Sequence, residues 1–358
     1  MSGKLKVGVI GAGGLGYHHV RLFRDLPGVE FVGFHDARAE RAEQVAKELK
    51  VRHFDSLDAL LAAADAVTIV VPTPAHHAVT MRALAAGKHV LIEKPIAATL
   101  EDGLEIEALE AKYGVTVTVG HSARLMAGVR KIREAIDAGE LGRVAFMEAN
   151  FSNERALELT PQTWRWYKAR APGGPLSQLA IHQFDVLHYL GGEIAEASSM
   201  ASKLSPVGAE VDDQSMTLLK FADGKIGYVG SCWTSPGVFA VRVFGSKGLM
   251  HYEIDFGTWD TPDKLHENST LYIQRGRNGY AKREELKVPE SDMFRIELEM
   301  FADSCRTRKP NELTAHNGNV AVAVVNAALR SIERRGQSVT IADVIDEARR
   351  QEKARHVA

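Results

Sequence analysis

Short, almost wholly apolar runs alternate with amphipathic stretches along roughly the first third of the chain. Val7 to Ile10, Val29 to His35, Ala66 to Val71, His89 to Ile92 and Val115 to Val119 read as strands. Between them Tyr17 to Leu26, Ala39 to Leu49, Ala75 to Ala86 and Leu100 to Tyr113 read as helices, the second amphipathic through Ala42, Val45, Ala46 and Leu49. Gly87 follows the third of these helices as a stop signal. Strands this apolar must be covered on both faces, and alternation with helices provides that cover in a parallel sheet. The expected architecture is therefore α/β, a doubly wound Rossmann sheet.

After Gly120 the pattern changes. Ala127 to Ala138 predicts a helix closed by Gly139. Strand-like runs follow at Val144 to Phe151, Ala197 to Ala201, Asp213 to Phe221, Lys225 to Trp233, Phe239 to Phe244 and Leu249 to Ile254. Turn signals such as Ala222-Asp223-Gly224 and Gly245-Ser246-Lys247-Gly248 join several of them, which predicts an antiparallel meander. Met293 to Arg335 returns to helix, with an alanine-rich stretch at Val320 to Leu329. Two domains are expected: 1–122, binding a dinucleotide, and 123–358, an α+β domain that binds substrate and forms oligomer contacts.

Composition narrows the class without changing the architecture. The 358 residues exceed what one core normally supports. A net charge of −2 gives no support to a nucleic-acid surface. Cys232 and Cys305 are too few for a disulfide framework, so a reducing, cytoplasmic setting is expected. No apolar run approaches bilayer length, and glycines interrupt the first one at once, so neither a membrane span nor a leader is expected. The basic tail from Arg349 to His356 reads as a solvated helix end.

Gly11-Ala12-Gly13-Gly14-Leu15-Gly16 carries the G-x-G-x-x-G spacing between a strand and a helix. Asp36 ends the second strand 20 residues after Gly16. Gly11 permits a tight turn, Gly13 lets the backbone approach a pyrophosphate at the helix N-terminus, and Gly16 lets helix and strand pack closely. Asp36 would accept both adenosine ribose hydroxyls and repel a 2′-phosphate, which favours NAD. Arg38 and Arg41 leave NADP possible.

Glu93-Lys94-Pro95 follows a strand directly, and the carboxyl ends of such strands are where ligands bind. Lys94 is placed to meet a substrate hydroxyl, and an X-Pro bond can be cis. Further on, Gly173-Gly174-Pro175 opens a helix reaching Leu190. Gln178, His182, Asp185 and Tyr189 fall on one side of it, among Leu179, Ile181, Phe184, Val186 and Leu187. A buried polar stripe is costly unless satisfied, so it should line a cavity or a hydrogen-bonded network. In the loop before the glycines, Trp164 and Trp166 flank Arg165; a tryptophan face suits a sugar ring, and Arg165 suits a carboxylate or phosphate.

Together these motifs resemble the glucose-fructose oxidoreductase / inositol dehydrogenase family, the Gfo/Idh/MocA-type sugar dehydrogenases. Pro72-Thr73-x-x-His76, Gly87-Lys88-His89-Val90-Leu91-Ile92-Glu93-Lys94-Pro95, Gly139-Glu140-Leu141-Gly142-Arg143-Val144, Gly173-Gly174, His182-x-x-Asp185 and Asp223-Gly224 add to the likeness. The resemblance implies a Rossmann domain and an α+β domain whose open, mostly antiparallel sheet forms a homodimer or homotetramer. It implies oxidation of a secondary alcohol of a sugar, sugar derivative or cyclitol, or the reverse reduction. Lys94 then binds substrate as the catalytic or orienting lysine, and His182 is the general acid/base. Thr73, His76, Glu93 and Lys94 lie along the cofactor, His121 lies near the nicotinamide, and Gln178, Asp185, Trp164 and Arg165 attend the substrate.

The chain departs from that pattern at Gln178, where many members carry aspartate. Glutamine hydrogen-bonds but cannot take a proton, which leaves the base role to His182 or Lys94. Members resembling sugar-nucleotide 3-dehydrogenases work without that aspartate and share the Pro-Thr-x-x-His spelling. Two rivals stand beside the dehydrogenase: glycoside cleavage or elimination through a transient keto-sugar, and a non-catalytic NAD(P)-sensing regulator. No metal is expected, because His76 and His77 are adjacent rather than a turn apart and the His182/Asp185/His188 set lacks a further ligand.

Overall fold

The computed structural model describes residues 3–255, 261–276 and 282–355. The ends of the chain, including His356 of the basic tail, lie outside the described residues. The chain divides into two compact units.

In the first unit, β1 (Leu5–Ile10), α1 (Gly14–Arg24), β2 (Val29–His35), α2 (Ala39–Leu49), α3 (Leu57–Ala63), β3 (Ala66–Ile69), α4 (His76–Ala85), β4 (His89–Glu93), α5 (Leu100–Tyr113) and β5 (Val117–Gly120) follow one another. The described strands form a parallel sheet of five in the order β2-β1-β3-β4-β5. Val7, Val9, Ile69, Val90, Leu91 and Ile92 have no exposed surface, which meets the expectation of a sheet covered on both faces. The strand order reverses between β1 and β3, the place where such sheets leave a crevice at their carboxyl ends. The pattern did not disclose α3. Its start is fixed by Ser56, whose hydroxyl accepts from the Ala59 amide at 3.2 Å.

The second unit opens with α6 (Ala127–Asp137) and continues through β6 (Val144–Ser152), α7 (Ile181–Gly191), β7 (Ile194–Ser202), β8 (Gln214–Phe221), β9 (Ile226–Cys232), β10 (Val238–Gly245), β11 (Gly248–Asp255), β12 (Ser269–Arg275) and β13 (Lys282–Glu285). The C-terminal elements are α8 (Met293–Thr307), α9 (Ala315–Glu333), β14 (Val339–Thr340) and α10 (Ile341–Arg355). Nine described strands form one sheet, β13-β12-β11-β10-β6-β9-β8-β7-β14. It is not a simple meander: β6 sits between β9 and β10, parallel to the first and antiparallel to the second. The α6 helix buries Val129, Ile132 and Ala135. A side chain at Gly128 would run into the Tyr252 ring of β11, with its Cβ only 2.1 Å away. Along β8 burial alternates strictly, so one sheet face is packed and the other open.

The unit boundary departs from the expected 122/123 division. The first stretch of this unit ends at His121, but Phe294–Asn319 and, among the described residues, 349–355 also belong to it. The returning segment is tied to β5: the Val119 amide donates to Leu313 O at 2.9 Å, and Asn311 Nδ2 to Thr118 Oγ1 at 3.1 Å. The single helical region expected over 293–335 is two helices. The break falls at Arg308, which has a φ of +58°, and Pro310 follows. Among the described residues no helix is long and apolar enough to cross a membrane.

Candidate active site

In the first unit the glycine loop is built as its spacing demands. Gly11 has a φ of +92°, and a Cβ there would lie 2.3 Å from Val70 O at the end of β3. A Cβ on Gly16 would lie 2.1 Å from Gly11 O, so this glycine lets α1 close against the loop. Gly13 and Gly14 face the other way. A Cβ on Gly14 would meet nothing within 4 Å, and one on Gly13 only the Arg38 guanidinium at 3.9 Å. The first turn of α1 contains no acidic residue, and Gly13 supplies no side-chain cap. An open backbone at an uncapped helix N-terminus suits a pyrophosphate.

Asp36 closes this loop. Its Oδ2 accepts from the Ala12 amide at 2.8 Å, and its Oδ1 from the Arg38 amide at 2.9 Å and Arg38 Nε at 3.2 Å. Burial pushes its pKa up, but hydrogen bonds from Arg38 and the Ala12 and Arg38 amides outweigh it and hold the carboxyl below the usual range. It is therefore an anion at the carboxyl end of β2, with the acceptor chemistry a ribose diol requires. Arg41 braces the same loop, its Nε donating to Ala12 O at 2.8 Å. These residues fit NAD: the loop leaves room for the phosphates and Asp36 offers the acceptor.

Thr73 and His76 lie beyond β3, both buried. His76 spans two loops, its Nδ1 2.7 Å from Pro95 O and its Nε2 2.8 Å from Val71 O. Burial lowers its pKa against the pull of those carbonyls. Its ring nitrogens are committed to the backbone, so it braces the Lys94 turn. Glu93 is buried at the end of β4, and half-buried Lys94 follows it with a cis Lys94–Pro95 bond. Glu93 Oε2 accepts from the Lys94 amide at 3.3 Å, while Oε1 lies 3.3 Å from His19 Nε2. A Cβ on Gly120 would sit 2.9 Å from Glu93 Oε1, so the glycine ending β5 makes room for the carboxylate. His121 follows, almost wholly buried.

Sequence reasoning missed His19 and Glu297. Both have no exposed surface, and their ligating atoms lie with Glu93's within 4.8 Å of one another. His19 had a signal: it falls on the apolar side of α1, with Gly16, Val20 and Phe23. Glu297 had none, because nothing in the sequence says that α8 returns to the first unit. His77, Asp102 and Glu105 form a second such group, where His77 Nε2 meets Glu105 at 2.8 Å.

In the second unit the polar stripe is a network. The helix begins with a π-type turn, Leu176–Ala180, before regular α7. Gln178 Oε1 accepts from Arg165 Nε at 3.3 Å, which brings two of the expected substrate residues together. Arg165 in turn lies over the Trp164 ring, 4.4 Å from its centroid. His182 is buried, its ring 5.5 Å from that of Phe151 on β6. Asp185 holds Arg124 through a two-pronged buried ion pair, with one arm at 2.9 Å. Tyr189 Oη accepts from Arg130 at 2.7 Å. Arg124 was missed, since a lone arginine after a strand carries no sequence mark of burial. Asp185 is thereby committed to a cation of its own unit.

Residues 5–121 match the family described as oxidoreductases with an NAD-binding Rossmann fold, and residues 129–251 match the GFO/IDH/MocA C-terminal domain. The chain is 28% identical over 351 residues to a scyllo-inositol 2-dehydrogenase (NAD(+)) of Bacillus subtilis, covering 95% of this chain and 97% of the relative. It is 29% identical over 338 residues to inositol 2-dehydrogenase 1 of Saccharopolyspora erythraea, covering 92% and 94%. A crystal structure from Desulfitobacterium hafniense, provisionally named an NADPH-dependent oxidoreductase, superimposes with a TM-score of 0.91 at 34% identity, covering 96% of this chain and 100% of that one. With the glycine loop, Asp36 and both sheets in place, the chain belongs to the GFO/IDH/MocA family and is a nicotinamide-dependent dehydrogenase on an NAD-binding Rossmann fold.

Proposed function

We propose that the protein oxidises a secondary hydroxyl of a sugar, sugar derivative or cyclitol, with Lys94 and His182 handling the hydroxyl proton. When bound, NAD supplies the hydride acceptor. The observation that carries the assignment is the state of the α7 stripe. Gln178 is an amide that cannot titrate, Asp185 is committed to Arg124, and Tyr189 is bonded to Arg130. His182 is the stripe's imidazole, a side chain whose chemistry suits proton transfer near neutral pH. Lys94 follows β4 at the carboxyl end of the parallel sheet, and its cation orients the hydroxyl oxygen. Glu93, His19 and His76 hold the turn that carries it.

The test is NAD and NADP reduction by the wild type, Lys94→Met and His182→Asn against sugars, sugar acids, cyclitols and glycosides. Each substitution should lower kcat/KM at least a hundredfold for the best substrate; unchanged rates in both variants would overturn the assignment. Product analysis separates net oxidation from glycoside cleavage, since only the first accumulates NADH.

The reading includes a cytosolic setting, which the free Cys232 and Cys305 suit. It also includes pairing of two copies through the open face of the nine-stranded sheet. Met200 on β7, Met216 and Leu218 on β8 and Ile226 on β9 are each more than half exposed on neighbouring strands there, an apolar face that a second copy would cover.

A further inference from the structure

We propose that the substrate carries a negative charge, a carboxylate or a phosphate, gripped by the guanidinium of Arg165. The inference deepens the reading above and rests on it for the reaction, though not for the charge. Arg165 occupies the short 3-10 turn Trp164–Trp166 and is only partly exposed. A guanidinium has five N–H donors in a rigid fork. Here Nε is used by Gln178 Oε1 at 3.3 Å, and the guanidinium carbon lies over the Trp164 ring, 4.4 Å from its centroid. Both terminal nitrogens are left without a protein acceptor among the described residues, and they form the edge that meets carboxylates and phosphates in a two-pronged fashion.

Charge points the same way. Arg165 forms no ion pair among the described residues, and the charged neighbour it feels is Arg155, of like sign. Burial, with Arg155 adding to it, pushes the Arg165 pKa down to about 10. A half-enclosed cation beside another cation is an unfavourable arrangement that an arriving anion relieves. Its inward partner heightens the need. Gln178 is buried and neutral, whereas an aspartate or glutamate there would neutralise Arg165 from within. Arg124, on the same α7 network, shows the contrast, since its charge is met by Asp185. Gln178 and His182 stand about one helical turn apart, roughly 5–6 Å along the axis. Through Gln178, Arg165 is thereby tied to the helical segment that carries His182.

The experiment compares kcat and KM for matched pairs: glucose with glucuronate, galactose with galacturonate, glucose with glucose 6-phosphate, and myo-inositol with an inositol monophosphate. One charged member should exceed its neutral counterpart at least tenfold in kcat/KM, mainly through KM, and the preferred arm identifies carboxylate or phosphate. Arg165→Gln should lower that charged member about a hundredfold and its neutral counterpart by less than tenfold, while Arg165→Lys retains part of the preference. Gln178→Glu, which keeps Arg165 but supplies an internal counter-ion, should weaken the charged member at least tenfold. A second arm needs no turnover: calorimetric titration of the NAD-loaded protein with glucuronate, glucose 6-phosphate and inorganic phosphate at fixed ionic strength. Saturable binding by the wild type that Arg165→Gln abolishes supports the proposal even if no alcohol in the panel is oxidised. Equal affinities in wild type and Arg165→Gln, or a preference for neutral members that Arg165→Gln leaves intact, overturns it while the dehydrogenase reading stands.

Discussion

Asp36 and His89 show how single groups tie this fold to pH with different chemistry. Hydrogen bonds hold the Asp36 carboxyl below its usual pKa, so its contribution to stability is present above the ordinary carboxylate range and is lost as pH falls through the folded value. His89 begins β4 and accepts the Thr116 amide on Nδ1 at 2.8 Å. Burial, with the charge of Arg308, pushes its pKa from 6.5 to about 4. The unfolded chain therefore takes up a proton between about pH 6.5 and 4 that the folded chain refuses, and stability declines as pH drops through that window. His89→Gln keeps an acceptor for Thr116 but does not titrate. Its Tm, followed by calorimetry from pH 7 to 4.5, should fall less than that of the wild type; parallel curves would refute the assignment. At this scale Asp36 was legible in the sequence, because its place at a strand end fixes its job. The state of His89 was not, because it depends on burial in the folded chain and on Arg308, far along the sequence.

The α7 helix shows the element scale. Four polar groups on a helix otherwise lined by Leu187, Phe184 and Val186 announced a hydrogen-bonded network, and in the structure Gln178, Asp185 and Tyr189 meet Arg165, Arg124 and Arg130. The sequence could not name the partners, since Arg124 and Arg165 reach Asp185 and Gln178 from outside the helix. Nor did it disclose the π-type turn Leu176–Ala180, which comes directly after Gly173 and Gly174 at positive φ, the second packed close against Asp212 and Trp233. Arg124→Ala would leave the buried Asp185 carboxylate without its counter-ion, and destabilisation of about 3–5 kcal/mol is expected in urea unfolding. Replacing both partners, Arg124→Met with Asp185→Leu, should cost less than the single change. At α1, Gly16→Ala would press a methyl group into Gly11 O, so NAD binding by fluorescence titration should weaken at least tenfold with α1 displaced from β1.

At the scale of the molecule, the open sheet face predicts assembly. Leu218→Glu sets a charge amid Met216, Met200 and Ile226, and sedimentation should show a shift towards monomer with the circular dichroism spectrum unchanged; an unaltered distribution would reject that face as the contact. The wider organisation divides cleanly by cause. The sequence by itself determined the parallel sheet, the glycine loop with Asp36, the Lys94 turn and the polar stripe on α7, because each depends on interactions between residues near in the chain: strand periodicity, turn glycines, helix spacing. Only the tertiary structure decided that Phe294–Asn319 rejoins the first unit, that β6 inserts between β9 and β10, that Glu297 and His19 surround Glu93, and that Asp185 belongs to Arg124. Local pattern records that a residue is to be buried, but not beside what. Pairing across long loops is chosen by the total burial and hydrogen bonding of the folded chain, and no short window of sequence contains that sum.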